Sequence, residues 1–338
     1  MNIVVLGGAG YIGSFVVERL LAQGHQVTVA DNLSRGNAWA VPEGGRFVPV
    51  DLLDPPSLER VLGGGCEAVV HCAGLALVRE SVREPLRYFR VNLNGTLNLL
   101  DGMQRAGVRR LVYLSSAAVY GDTGGRRVAE DTPLRPLTPY ATSTAGAEDL
   151  VRWQAAASSL GVVVLRVFNA AGAGGRLGEW HHPEAHLIPL ALHTAAGLRS
   201  RITVHGVDHP TPDGTAVRDY VHVDDVARAA LLALEATRDP GCAVYNIGTA
   251  DGHSVREVLV AARAVTGRAI AEAVGPRHRG DPPTLVADPR AAYRDLGWAP
   301  TSTLVDILGT HWNWMRERLR TAKPDGGASP LAACSNTE

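Results

Sequence analysis

The sequence predicts an α/β protein, with a doubly wound parallel sheet in its first part and a smaller mixed unit towards the C-terminus. Three observations carry this. An apolar run at the N-terminus, Val4-Val5-Leu6, breaks into glycines and passes at once into an apolar helical pattern, Phe15 to Leu21. Short β-branched runs then alternate with helical stretches, the order that builds parallel strands joined by crossover helices. Beyond Gly172 the texture changes: residues 173–215 mix glycine, proline and histidine with short apolar runs, which reads as a covering region rather than as more sheet.

The elements follow in order. Strands are expected at Gln26 to Ala30, Arg46 to Val50, Ala68 to His71, Arg110 to Leu114 and Val162 to Val167. Between them lie helices from Pro56 to Leu62, Leu86 to Ala106 and Tyr140 to Ala157. The second carries Asn92-Leu93-Asn94-Gly95-Thr96, residues that cost helix propensity and need tertiary partners. Val217 to Val223, Val226 to Thr237 and Ala243 to Gly248 return to strand-helix-strand order, and Ser254 to Val265 is a further helix. Residues 1–172, with a return segment near 217–248, therefore form the first unit, and 173–320 largely the second. The stretch 321–338 is rich in small and polar residues and is expected to be a disordered tail.

The glycine run points to a ligand. Gly7, Gly8, Gly10 and Gly13 fit both G-x-G-x-x-G and G-x-x-G-x-x-G spacing after a strand and before a helix. Glycines there make the tight turn, admit a pyrophosphate to the backbone and let helix and strand pack closely. The helix N-terminus offers free N–H groups and a partial positive charge to the phosphates. Asp31 ends the second strand, close to the spacing of about twenty residues expected for a carboxylate that binds the adenosine ribose hydroxyls. Such a carboxylate repels a ribose phosphate and favours NAD over NADP. Asp51, at the end of the third strand, stands where an adenine contact is expected.

Composition excludes several classes. A formal net charge of -1 gives no support to a nucleic-acid or acidic-membrane partner, and no apolar run is long enough to span a bilayer. The four cysteines, Cys66, Cys72, Cys242 and Cys334, form no CxxC pair. With no leader-like N-terminus, a cytoplasmic location is expected.

Taken together, the motifs resemble those of the extended short-chain dehydrogenase/reductases, specifically the UDP-galactose (UDP-glucose) 4-epimerase group of the NAD-dependent epimerase/dehydratase family. The likeness runs from Met1 to about Arg320 through Gly7 to Ser14, Asp31-Asn32-Leu33, His71 to Leu75, Asn92 to Thr96 and Ser115 to Tyr120. It continues through Arg166 to Asn169, Asp213 to Thr215, Arg218 to Val223, Tyr245 to Gly248 and Gly280-Asp281-Pro282. The resemblance implies a Rossmann sheet, bound NAD, a nucleotide-diphosphate sugar as substrate and a homodimer paired through the helices around Leu86 to Ala106 and Tyr140 to Ala157. It implies inversion at C4 of the sugar through a transient 4-keto intermediate. Tyr140 is then the acid/base and Ser116 the hydroxyl beside the reacting oxygen. Thr144 stands at the third catalytic position. Cofactor contacts fall to Gly7, Gly10, Tyr11, Ile12, Gly13, Asp31, Asn32, Asp51, Leu52, Ala73, Gly74, Asn92, Ser115 and Tyr140. Substrate contacts fall to Ser116, Asn169, His186, Leu187, His205, Arg218, Arg277, His278, Asp281 and Leu285.

The chain departs from the family at residue 144. Members carry Tyr-x-x-x-Lys, whereas here the run is Tyr140-Ala141-Thr142-Ser143-Thr144. An ammonium at that range lowers a phenol by about 1–3 pKa units, so its loss reduces the phenolate fraction about ten- to a thousand-fold at neutral pH. Either the nicotinamide charge or a base from the histidine-rich loop compensates, or the protein binds its ligands with little turnover. Further differences are His278 for a phosphate-binding arginine, His205 for an aromatic, His186 for an asparagine and Val167 for a tyrosine; Leu285 falls where side-chain size admits or excludes a bulky sugar substituent. A nucleotide-ketosugar reductase and a non-catalytic nucleotide-sugar-binding protein are the alternatives. His182 and His186 flank Glu184 at a spacing that suggests metal ligands, but Pro183 breaks the helix such a pair requires, so no metal is expected.

Overall fold

The computed structural model describes residues 1–278 and 280–321. Seven strands form the central sheet: β1 (Asn2–Leu6), β2 (Gln26–Asp31), β3 (Arg46–Pro49), β4 (Ala68–His71), β5 (Arg110–Ser116), β6 (Gly161–Val167) and the strand Gly241–Ile247. Their order is Gly241–Ile247, β6, β5, β4, β1, β2, β3, and every neighbouring pair is parallel. The strand order reverses beside β1, which lies between β2 and β4. Leu6 is level with Ala30 on one side and His71 on the other, so three strands end together and open a crevice at their C-terminal edge.

The strands are rich in β-branched residues because both faces are covered. Side chains alternate across the sheet: Ile3, Val5, Val163 and Leu165 enter one core with the helices Tyr11–Ala22 and Val223–Ala236. Val4, Leu6, Val162 and Val164 enter the other with Pro55–Leu62, Gly95–Ala106 and Pro139–Ala157. Across the second face Arg166 and Glu148 form a fully buried ion pair, and the Ser115 hydroxyl donates to Glu148 Oε2 at 3.0 Å.

The expected single helix from Leu86 to Ala106 is broken. It comprises Pro85–Tyr88, a π-helical turn Phe89–Asn94 and the α-helix Gly95–Ala106, preceded by Val78–Arg83. Asn92 explains the bulge. Its side chain accepts from Leu75 N–H at 2.8 Å and donates to the Leu75 carbonyl at 3.0 Å and Ser143 Oγ at 3.2 Å. Three tertiary hydrogen bonds fix a turn that the helical pattern alone does not specify.

In the second part, Leu187–Ala195, Val255–Thr266 and Leu304–Thr321 enclose a separate apolar core with Trp312, Trp314 and Met315. Val217–His222 pairs with Asn169–Ala171, Gly252–Ser254 and Thr284–Leu285, while Ile202–His205 pairs with Glu272–Gly275. Residues 173–215 thus contain a helix and short strands as well as loop. The disordered tail was expected to begin at Thr321, which instead closes the last helix; the remainder of that stretch lies outside the described residues. Among the described residues, no helix is long and apolar enough to cross a membrane.

Candidate active site

The glycine turn after β1 is shaped by steric exclusion. Gly7 has φ +74°, and a Cβ there would lie 2.7 Å from the Ala73 backbone; a Cβ on Gly13 would lie 2.1 Å from the Gly7 carbonyl oxygen. Gly10 caps the helix Tyr11–Ala22 without any side-chain hydrogen bond, so the first N–H groups point out unclaimed. That is the donor set a pyrophosphate requires. Asp31 ties the turn down from the side: its carboxylate accepts from Ala9 N–H at 3.1 Å and from Leu33 N–H at 2.8 Å.

A cavity of about 470 Å³ opens from this turn. Gly7, Gly10, Tyr11, Ile12, Gly13, Ala73, Gly74, Asn92 and Ser115 line one part of it, and Ser116, Tyr140, Thr144, Asn169, Arg218, Asp281 and Leu285 line another. His186 also faces it. These residues come from widely separated segments, brought together at the carboxyl ends of β1, β4, β5 and β6.

Tyr140 owes its position to the start of its helix. The Thr138 hydroxyl caps the N-terminus by accepting from Ala141 N–H at 3.2 Å, and Pro139 sets the first turn. Ser116, at the end of β5, accepts from Ala118 N–H at 3.2 Å, which leaves its hydroxyl hydrogen free to donate into the cavity. Thr144 is buried, and its hydroxyl donates to the Tyr140 carbonyl at 2.9 Å. Burial pushes the Tyr140 phenol up from its ordinary value, and hydrogen bonds with Ser116 and Thr144 oppose that shift.

Other expected site residues stand apart from this lining. Asn32 donates to Asp51 Oδ2 at 3.1 Å across the ends of β2 and β3, and Leu52 packs beneath Gly95. Asp31 uses one carboxylate oxygen on the glycine turn and the other on Leu33 N–H. The Ser115 side chain is committed to Glu148, leaving its backbone at the cavity. His205 and His278 stack with ring centroids 3.9 Å apart, Arg277 pairs with Asp208 at 2.6 Å, and Leu187 begins a helix. Arg218 faces the cavity already held by Asp281 and the Pro282 carbonyl.

Several lining residues escaped the sequence reading. Arg35, which bonds Glu80 and the His182 carbonyl, and Cys72, at the end of β4, both line the cavity. Glu179 does too, with 2% of its side chain exposed. Its only sequence signal is its place two residues before His181. In the histidine loop His182 is exposed, while His181 and His186 line the cavity beside Glu179 and Glu184.

Residues 3–248 match the NAD dependent epimerase/dehydratase family. The chain belongs to that family. It is 44% identical over 320 residues to a UDP-glucose 4-epimerase of Lacticaseibacillus casei, covering 93% of this chain and 96% of the relative. It is also 44% identical to the UDP-glucose 4-epimerase of Corynebacterium glutamicum, over 92% of this chain and 95% of the relative. A crystal structure of UDP-glucose-4-epimerase from Stenotrophomonas maltophila with bound NAD and formylated UDP-arabinopyranose superposes with a TM-score of 0.91 at 39% identity, covering 95% of this chain and 100% of that one. That of the Bifidobacterium longum UDP-glucose 4-epimerase with NAD+ and UDP gives 0.91 at 34% identity, over 94% and 98%.

Proposed function

We propose that this chain is an NAD-dependent isomerase that inverts C4 of a nucleotide-diphosphate hexose. The observation that carries the reading is the convergence of Ser116 and Tyr140 on the cavity that begins at the uncapped helix N-terminus after β1. The glycine turn fits NAD by its excluded Cβ volume and free N–H groups, and Gly7, Gly10, Tyr11, Ile12, Gly13, Ala73 and Gly74 hold it. When bound, NAD+ supplies a reversible hydride acceptor facing the sugar.

Tyr140 takes the C4 hydroxyl proton and later returns it to the same oxygen after the keto sugar has turned its other face. Ser116 donates to that oxygen, holding it near the phenol. Asn169 and Arg218 bind the diphosphate, and Leu285 limits the space beside the sugar. The Asp281 pairing holds the Arg218 guanidinium in orientation before the ligand arrives. Asp31, Asn32, Asp51 and Leu52 belong to the adenosine end. Leu187, His205, Arg277 and His278 belong to the nucleotide end, and His186 stands by the sugar. Thr144 supplies a hydrogen bond but no charge, so the phenol is less acidic than its lysine-bearing counterparts.

The finer reading is a cytoplasmic homodimer. It is supported by exposed apolar side chains on the two helices concerned, Leu97 and Trp153, the latter 76% exposed, and by Cys66, Cys72 and Cys242 being free of disulfides among the described residues.

Incubation with UDP-glucose, UDP-galactose and their N-acetylated and carboxylated forms tests the activity. A C4-inverted product with transient absorbance of reduced nicotinamide supports it; nucleotide-sugar binding without C4 isotope scrambling refutes it. Analytical ultracentrifugation of the protein and of Trp153→Ser tests the dimer.

A further inference from the structure

The segment just before the helix Leu187–Ala195 gathers four ionisable side chains, of which only His186 has a place in the proposed reaction. Glu179, His181, Glu184 and His186 converge so that one donor atom from each lies within 4.8 Å of the others. His181 Nδ1 stands 3.1 Å from Glu179 Oε1, His186 Nδ1 bonds the same oxygen, and His186 Nδ1 is 3.6 Å from Glu184 Oε1.

This is no solvated acidic patch. The Glu179 side chain is 2% exposed and that of Glu184 8%. Glu179 Oε2 and His181 Nδ1 are both buried with no hydrogen-bond partner among the described residues. A buried carboxylate oxygen left without a donor is costly, and a cation is one of the few groups that satisfies it.

We propose that Glu179, His181, Glu184 and His186 bind a divalent transition-metal ion of the zinc type beside the cofactor cavity. Two imidazole nitrogens and two carboxylate oxygens form a borderline donor set. It suits zinc, cobalt or nickel better than magnesium or calcium, which favour all-oxygen shells, or copper(I), which favours thiolates. Four-coordinate bonds of about 2.0–2.1 Å set tetrahedral ligand atoms about 3.3–3.4 Å apart. The separations of 3.1 and 3.6 Å bracket that figure, whereas His186 Nδ1 lies closer to Glu179 Oε1 and must draw back as the ion enters.

The surroundings hold the ligands in place. Glu184 Oε1 accepts from the N–H groups of Ala185 at 2.8 Å and His186 at 2.9 Å. His181 packs edge-on against Tyr11 with centroids 6.4 Å apart and against His186 at 5.4 Å. Ordered outer contacts of this kind fix ligand orientation. The helical spacing of His182 and His186 is irrelevant here, because the four ligands come from a loop. An ion there pins residues 179–186 against the helix that begins at Tyr11. The inference rests on the geometry of these four side chains and not on the proposed reaction.

The test uses the untagged full chain, stripped with a chelator and titrated with Co2+ and then Zn2+. One Co2+ per chain is expected, with the intense visible absorption of four-coordinate cobalt, displaced by one Zn2+. Glu179→Gln and His181→Ala should each weaken zinc binding at least about 100-fold by calorimetry, with far-ultraviolet dichroism unchanged, while His182→Ala binds as the parent does. Failure of the folded parent to take up either ion overturns the site. So does uptake that survives Glu179→Gln and His181→Ala, or a preference for Mg2+.

Discussion

The Thr144 hydroxyl donates to the main-chain carbonyl of Tyr140 at 2.9 Å, one helical turn away. The position at which the family resemblance implies a lysine is here a buried neutral hydroxyl that bonds its own helix. Thr144→Lys should therefore draw the pH profile of turnover downward by about 1–3 units and raise the rate at neutral pH about ten- to a thousand-fold. A fall in rate, measured with NAD content held constant, would mean that the native site activates its phenol differently.

Tyr140 is the one phenol for which the proposed reaction has a proton to move. Tyr140→Phe removes the oxygen and keeps the ring, so it should lower turnover by about 10²–10⁴-fold while leaving NAD binding intact. Stopped-flow absorbance and NAD retention after gel filtration separate the two effects.

Asn92 is expected to matter to stability before it matters to ligands. Asn92→Ala strands the Leu75 N–H and carbonyl inside the protein, a loss of about 1–3 kcal/mol in urea denaturation. Asn92→Asp keeps an acceptor for the Leu75 N–H and loses the donor, so its damage should show mainly through the Leu75 carbonyl.

His71 links stability to acid pH. Its ring lies against Tyr113 and near Thr96 Oγ1 inside the sheet, and burial lowers its pKa to about 4. The unfolded chain, near 6.5, then binds more protons than the native one between those values. The stability of the native state is full above about pH 6.5 and falls as pH drops towards 4, by on the order of 3 kcal/mol for this group. His71→Leu should flatten the acid limb of the melting temperature between pH 6.5 and 4. An unchanged slope would assign that limb to other groups.

The strands of the central sheet were legible because burial on both faces demands long β-branched runs, and Val162-Val163-Val164 has no competing reading. The π-turn at Phe89–Asn94 was not, because Asn92 owes its conformation to Leu75 and Ser143, partners distant along the chain. The helix Leu304–Thr321 also went unread, its apolar side fitting a core assembled from three separated segments. Arg35 became a cavity residue through the fold of Glu80 and His182 around it.

The glycine spacing, the carboxylate after the second strand and the ordered family motifs were sufficient to identify a dinucleotide-binding α/β protein, since each depends on local backbone geometry. Only the folded chain decided which histidines face inward, that Glu179 joins them, and that Asp31 braces the glycine turn. Those outcomes depend on distances between segments, and no spacing along a chain encodes where a loop returns.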